Sequence, residues 1–129
     1  MVFIQVETRR RPKPPWATIF IVVASVVAFF WLVSAPPDQR LAMLARWGTV
    51  PAKLFDFSAP LAHQLAELRP LRLVTALLVH ADWLHLTGNL LFLMIFGLQA
   101  ERALGSRRFF AIYFIGGALA NLVGALTLS

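Results

Sequence analysis

Residues 80–98 read HADWLHLTGNLLFLMIFGL, and the fold turns on how this stretch divides. Its first half holds two of the chain's three histidines, with an aspartate, a threonine and an asparagine; from Leu90 onward it is apolar enough for lipid. Asp82 is placed to cap a helix starting at Trp83, because a short carboxylate accepts hydrogen bonds from the free amides of a first turn. Gly105 supplies the backbone conformation that closes a helix at its far end. A helix over 83–104 is therefore predicted. At about 1.5 Å per residue it crosses a hydrocarbon core of about 30 Å, with its polar residues at the mouth.

Two further runs share this character. Between Pro14 and Pro37 no residue is charged, and the core ATIFIVVASVVAFFWLVSA is apolar; Phe109 to Ser129 is also free of charge. Lipid cannot satisfy backbone polar groups, so these runs are expected as helices over 16–35 and 108–128. The composition agrees: 59% of the 129 residues are hydrophobic and 14% charged, a balance typical of membrane proteins rather than soluble ones. The fold class expected is an all-α membrane protein. The tripeptide VSA at 33–35 imitates a signal-peptide cleavage site, but the apolar stretch is long for a signal and Pro36 follows the site. With no cysteine, disulfides and thiolate metal sites are excluded.

The net charge of +6 does not point to nucleic acid. The basic residues flank the apolar runs, as TRRRPK and GSRR, a placement that sets topology against a lipid bilayer. Residues 1–15 form a basic tail and the connector after the second run holds Arg102, Arg107 and Arg108. The loop over 36–82 nearly balances five basic with four acidic residues. The positive-inside rule then predicts the N-terminus in the cytoplasm and the long loop outside, and the expected location is the plasma (inner) membrane. Within that loop, PDQRLAMLARWG (37–48) suggests a short helix with Asp38 as N-cap, Leu41, Leu44 and Ala45 on one face, and Gly48 as the stop. It is either an interfacial helix or an ordinary loop helix. His63 reads as a surface histidine.

The polar cluster admits more than one chemistry. His80 and His85 are five apart, about 140° around a helix, whereas a helical zinc pair favours a spacing of four. Neither a metal nor a cofactor is expected. His85 and Asn89 are four apart and share a face that Phe92, Leu93 and Phe96 continue. Polar groups at that depth are costly unless they meet protein or water. They are either two donors converging on a developing oxyanion or a polar pair tying helices together. In the third run Gly116, Ala120 and Gly124 recur every four residues, the spacing that lets membrane helices pack closely. Small residues are also common in such helices without that role. Asn121 is expected to face protein.

The segment LRLVTALLVHADWLHLTGNLLFLMIFGLQAERALGSRRFFAIYFIGGALANLVGAL resembles the rhomboid family of intramembrane serine proteases. The ordered features are a histidine, four residues, a histidine, three residues, an asparagine, an apolar run ending in FG, a glutamate, and LGS before RRFFAIY. The resemblance implies a rhomboid-like bundle, with about three transmembrane helices present of a family core of six. It implies that His85 and Asn89 support the oxyanion of acyl transfer. It assigns His80 to a structural water network, and Glu101 and Arg102 to a polar cluster at the cytoplasmic end. Pro70 and Arg72 match a loop element whose tryptophan is Leu71 here. The family's Gly-x-Ser-Gly nucleophile and base histidine have no counterpart in the 129 residues. The expectation is therefore part of an endopeptidase for transmembrane substrates, inactive alone; the alternative is a non-catalytic rhomboid-like binding module.

Overall fold

The computed structural model describes residues 12–48, 60, 62–63 and 71–127. The basic tail through Arg11, the loop at 49–59 and Pro70 lie outside the described residues. Among the described residues every regular element is helical. Three helices, α1 (Trp16–Ser34), α4 (Trp83–Leu104) and α5 (Ser106–Thr127), are long and apolar enough to cross a membrane. Two shorter ones, α2 (Pro37–Trp47) and α3 (Arg72–Thr75), lie between α1 and α4.

α1 buries one stripe. Ala17, Ile21, Ser25, Phe29 and Leu32 are covered while Phe20, Val23, Val27, Phe30 and Trp31 are exposed, the three-to-four-residue alternation of a helix with one packed face. α4 runs antiparallel to α1. Its far end brings Glu101 to Ala17 and Thr18 at the start of α1, and its beginning brings the Trp83 ring 4.5 Å from Phe29. Ala17, Ile21, Leu93 and Phe109 form the core where α1, α4 and α5 meet.

Chain reversals are fixed by specific residues. At Gly105 the backbone turns with φ of 84°, a region open to glycine at little cost, and the Gly105 amide closes on the Glu101 carbonyl at 2.8 Å. α5 therefore begins at Ser106, two residues before the arginine at which the sequence reading starts it. After α1, Arg40 reaches back and donates to the carbonyls of Ala35 and Val33. A guanidinium there satisfies orphan carbonyls and complements the negative end of the helix dipole.

α2 corrects one expectation. Its N-cap position is Pro36 and Asp38 lies inside the first turn, making no cap hydrogen bond. Pro37 takes the first helical position, where a fixed φ and a missing N–H cost nothing. Asp38 acts there only through the dipole.

The segment over 71–82 is held against the outside of α5. Asn121 Nδ2 donates to the Leu73 carbonyl at 2.9 Å, and Thr75 Oγ1 donates to the Trp47 carbonyl at 2.9 Å. Leu77 packs so near α5 that a Cβ on Gly117 would lie 2.6 Å from its methyls.

Candidate functional site

The expected site residues fall at opposite ends of α4. At its start, Asp82 has extended backbone angles and its Oδ1 accepts the His85 amide at 2.8 Å. This N-cap fixes where the helix begins and therefore which way His85 and Asn89 project. Both lie one turn apart on an exposed flank of α4, and among the described residues nothing covers them. His80 precedes the helix and is only 3% exposed. Its Nδ1 is 3.0 Å from the Leu78 carbonyl, so Nδ1 carries the proton and Nε2 keeps the lone pair. Its ring stands edge-on to that of His85, with centroids 5.1 Å apart. Burial, helped by the neighbouring His85, draws the His80 pKa below its ordinary value; the Leu78 carbonyl and Asp82 oppose this. His80 is thus a neutral buttress that limits where the His85 ring can lie.

Below Asn89 the helix changes its winding. Leu93–Gly97 forms a π-helical turn, with the Leu98 amide bonded to the Leu93 carbonyl. Such one-residue insertions recur at functional sites. Leu93, one regular turn beyond Asn89, is buried while Phe92 and Phe96 stay exposed, their rings 4.6 Å apart. Phe92, Leu93 and Phe96 line one cleft together with Asn89, as their spacing suggested. This half-open cleft of about 220 Å³ runs from Asn89 past Phe92 and Phe96 to Phe109 and Tyr113 on α5. Gly97 forms its floor: a Cβ there would lie 2.7 Å from Leu93 Cδ1 and 3.2 Å from Phe109 Cζ.

At the other end of α4 sits Glu101, 3% exposed. Its carboxylate accepts from the Ala17 amide at 2.9 Å, the Thr18 amide at 2.8 Å, Thr18 Oγ1 at 2.6 Å and the Ser106 hydroxyl. Pro15, in the cap position of α1, makes no side-chain cap bond, so a carboxylate from 84 residues away fills that role. A buried charge is tolerated when hydrogen bonds and a helix dipole compensate it. One side chain therefore ties the start of α1, the end of α4 and the start of α5. Arg102 points outward and is exposed.

Of the small-residue stripe on α5, Gly116 and Ala120 are exposed, and a Cβ on Gly116 or Gly124 would meet nothing within 4 Å. Within this chain the packed face is shifted by one residue, to Gly117, Asn121 and Ala125. The stripe at 116, 120 and 124 is open to another helix.

Sequence reasoning missed Thr18, Ser106 and Tyr113. Thr18 and Ser106 stand in the first turns of their helices, which is a signal; nothing local marks them as partners of one glutamate. No three His, Cys, Asp or Glu side chains among the described residues are grouped to hold a metal.

A membrane bundle with a histidine–asparagine helix and a buried glutamate at its opposite end is the class this architecture defines. Residues 67–129 match the family model of the Rhomboid domain, and over that stretch the chain belongs to the rhomboid family. Rhomboid-like protease 3 of Toxoplasma gondii is 27% identical over 111 residues, covering 86% of this chain and 38% of that protein. The mitochondrial RHOMBOID-like protein 6 of Arabidopsis thaliana is 30% identical over 135 residues, covering 88% of this chain and 44% of its own length. The chloroplastic Rhomboid-like protein 11 of Arabidopsis thaliana is 46% identical over 55 residues, covering 43% and 20%. The chain thus spans less than half the length of these relatives. No solved structure matches it significantly. It is an integral membrane protein.

Proposed function

We propose that this chain is the oxyanion-stabilising side of a rhomboid-type intramembrane serine endopeptidase that cleaves transmembrane protein substrates. The observation that carries this reading is the placement of His85 and Asn89. They lie one turn apart on the uncovered flank of α4, and Asn89 heads the aromatic cleft. When a serine attacks a peptide carbonyl, negative charge moves onto its oxygen. Preorganised N–H donors in a water-poor site stabilise that charge without reorganising. Asn89 offers its amide, and His85 offers a ring N–H whose direction the Asp82 cap and the His80 ring constrain.

The nucleophile and base have no counterpart among these 129 residues and would have to be supplied by other residues. Gly-x-Ser occurs nowhere in the sequence, and the Ser106 hydroxyl is already donated to Glu101. A nucleophile needs a base within hydrogen-bond reach, so the 129 residues alone are expected to hydrolyse no peptide bond. The arginine asymmetry supports an orientation with the N-terminus in the cytoplasm and the histidine end outside. Ile4→Cys should then be shielded from an impermeant thiol reagent in intact cells, and Ser58→Cys should react.

A second reading is a rhomboid-like module that binds membrane segments without cleaving them. One experiment separates the two. The longest polypeptide encoded by the gene is purified in detergent with a transmembrane substrate and a fluorophosphonate. Serine labelling with cleavage supports the protease; substrate binding with neither supports the module.

A further inference from the structure

Two clefts meet at the Glu101 end of the bundle. The first, about 340 Å³, lies between the extended segment before α1 and the Gly105 turn, and is lined by Lys13, Arg102, Glu101 and Ser106. The second, about 370 Å³, runs along the seam of α1 and α5 and is walled by Trp16, Phe20 and Phe110, with Arg107 at its rim. The Phe20 and Phe110 rings pack at 5.6 Å to make its floor. Ser106 lines both clefts, so a basic chamber and an apolar groove lie side by side at the start of α5.

The charges favour an anion. Lys13, Arg102 and Arg107 are exposed, and among the described residues no carboxylate pairs with them. Glu101 is the one acidic residue on either lining. Its charge faces inward, onto the α1 amides and two hydroxyls, which leaves the chamber net positive. Trp16, 65% exposed, walls the second cleft at the start of α1, where an aromatic ring suits the level of lipid headgroups.

We propose that this pair of clefts binds one anionic phospholipid, its phosphate headgroup between Lys13, Arg102 and Arg107 and one acyl chain in the groove between α1 and α5. A soluble phosphate matches the chamber but leaves the groove empty, and a zwitterionic lipid matches the groove but cancels its own charge in the chamber. The lipid would brace the seam that Glu101 closes from inside. The proposal stands independently of protease activity.

The test uses the full chain in phosphatidylcholine nanodiscs containing a trace of acyl-chain spin-labelled phosphatidylglycerol or phosphatidylcholine. The motionally restricted fraction gives their relative association. At about 1 kcal/mol per basic residue near a membrane surface, the anionic lipid should be preferred roughly fivefold for each cation engaged. Arg102→Gln and Arg107→Gln should each lower that preference several-fold. Arg108→Gln makes the same charge change at a residue that lines neither cleft, and should leave the preference nearly unchanged. Circular dichroism checks that each variant keeps its helices, and Arg102→Lys should keep most of the preference. An equal loss in Arg108→Gln would mean a diffuse surface potential and overturn the site. Displacement of the lipid by excess inorganic phosphate would overturn it too, because the groove would then contribute nothing.

Discussion

The two ends of α4 solve opposite problems. At Glu101 a buried carboxylate has four donors from two other helices, and nothing of it is left to react. At His85 and Asn89 the polar side chains are exposed, and among the described residues the Asp82 cap and the His80 ring fix the His85 position. The contrast teaches how a polar group in a membrane helix declares its role. A satisfied one holds the bundle together; one that is positioned but unsatisfied is available for chemistry. Between them the π-helical turn and the Gly97 approach set the rotation of one end relative to the other.

Breaking the satisfied end should have the largest effect on stability. Glu101→Ala strands two amides and two hydroxyls. At about 1–3 kcal/mol for each buried group left unpaired, a loss above about 3 kcal/mol is expected in reversible unfolding in mixed micelles. Glu101→Gln, which keeps an acceptor oxygen, should lose less. Equal stability of Glu101→Ala and the native chain would contradict the knot.

Next comes the seam between α5 and the 71–82 segment. Gly117→Val forces Leu77 aside and should cost about 1–3 kcal/mol, the usual range for overpacking. Asn121→Leu should cost about 0.6 kcal/mol and at most about 1.7 kcal/mol, the average and upper values for interhelical hydrogen bonds in membranes. Gly116→Ala, on the uncovered stripe, should change nothing in this chain. If Gly116→Ala costs as much as Gly117→Val, the assignment of the packed face is wrong.

The smallest effect concerns pH. The folded pKa of His80 lies below its ordinary value because of burial. Above about pH 6.5 the ring is neutral in both folded and unfolded chains and its buried contacts count in full. As pH falls from there toward the lower folded value, the unfolded chain takes up the proton first, and stability drops. Thermal unfolding near pH 7.5 and near pH 5.5 should show a modest decline that His80→Gln flattens. Asp82 and His85 are the titratable neighbours that perturb His80, so Asp82→Asn is the companion control.

How much of this was legible beforehand follows the range of the interactions. The three spanning helices and the all-α class came from run length alone. The Asp82 cap and the Gly105 stop came from local chemistry, and the structure contains both. Asn121 was expected to face protein, and it does. Contacts across the sequence were not readable: no local pattern joins Glu101 to Thr18, 83 residues away. The phase of packing was not readable either. Gly116, Ala120 and Gly124 repeat as well as Gly117, Asn121 and Ala125 do, and only the position of Leu77 decides between them. The π-helical turn at Leu93–Gly97 inserts a residue without any proline or glycine pair to announce it.

The central claim is that Asn89 belongs to the unsatisfied, reactive end. It is tested most directly by turnover of a transmembrane substrate by the longest polypeptide the gene encodes, reconstituted in liposomes with and without Asn89→Ala. Loss of one oxyanion donor should lower kcat by about 10²–10³, with expression, helicity and thermal stability unchanged because the Asn89 side chain bonds to no partner among the described residues. Unchanged turnover, or a loss of folding in place of a loss of rate, would contradict the account and return Asn89 to the role of a packing residue.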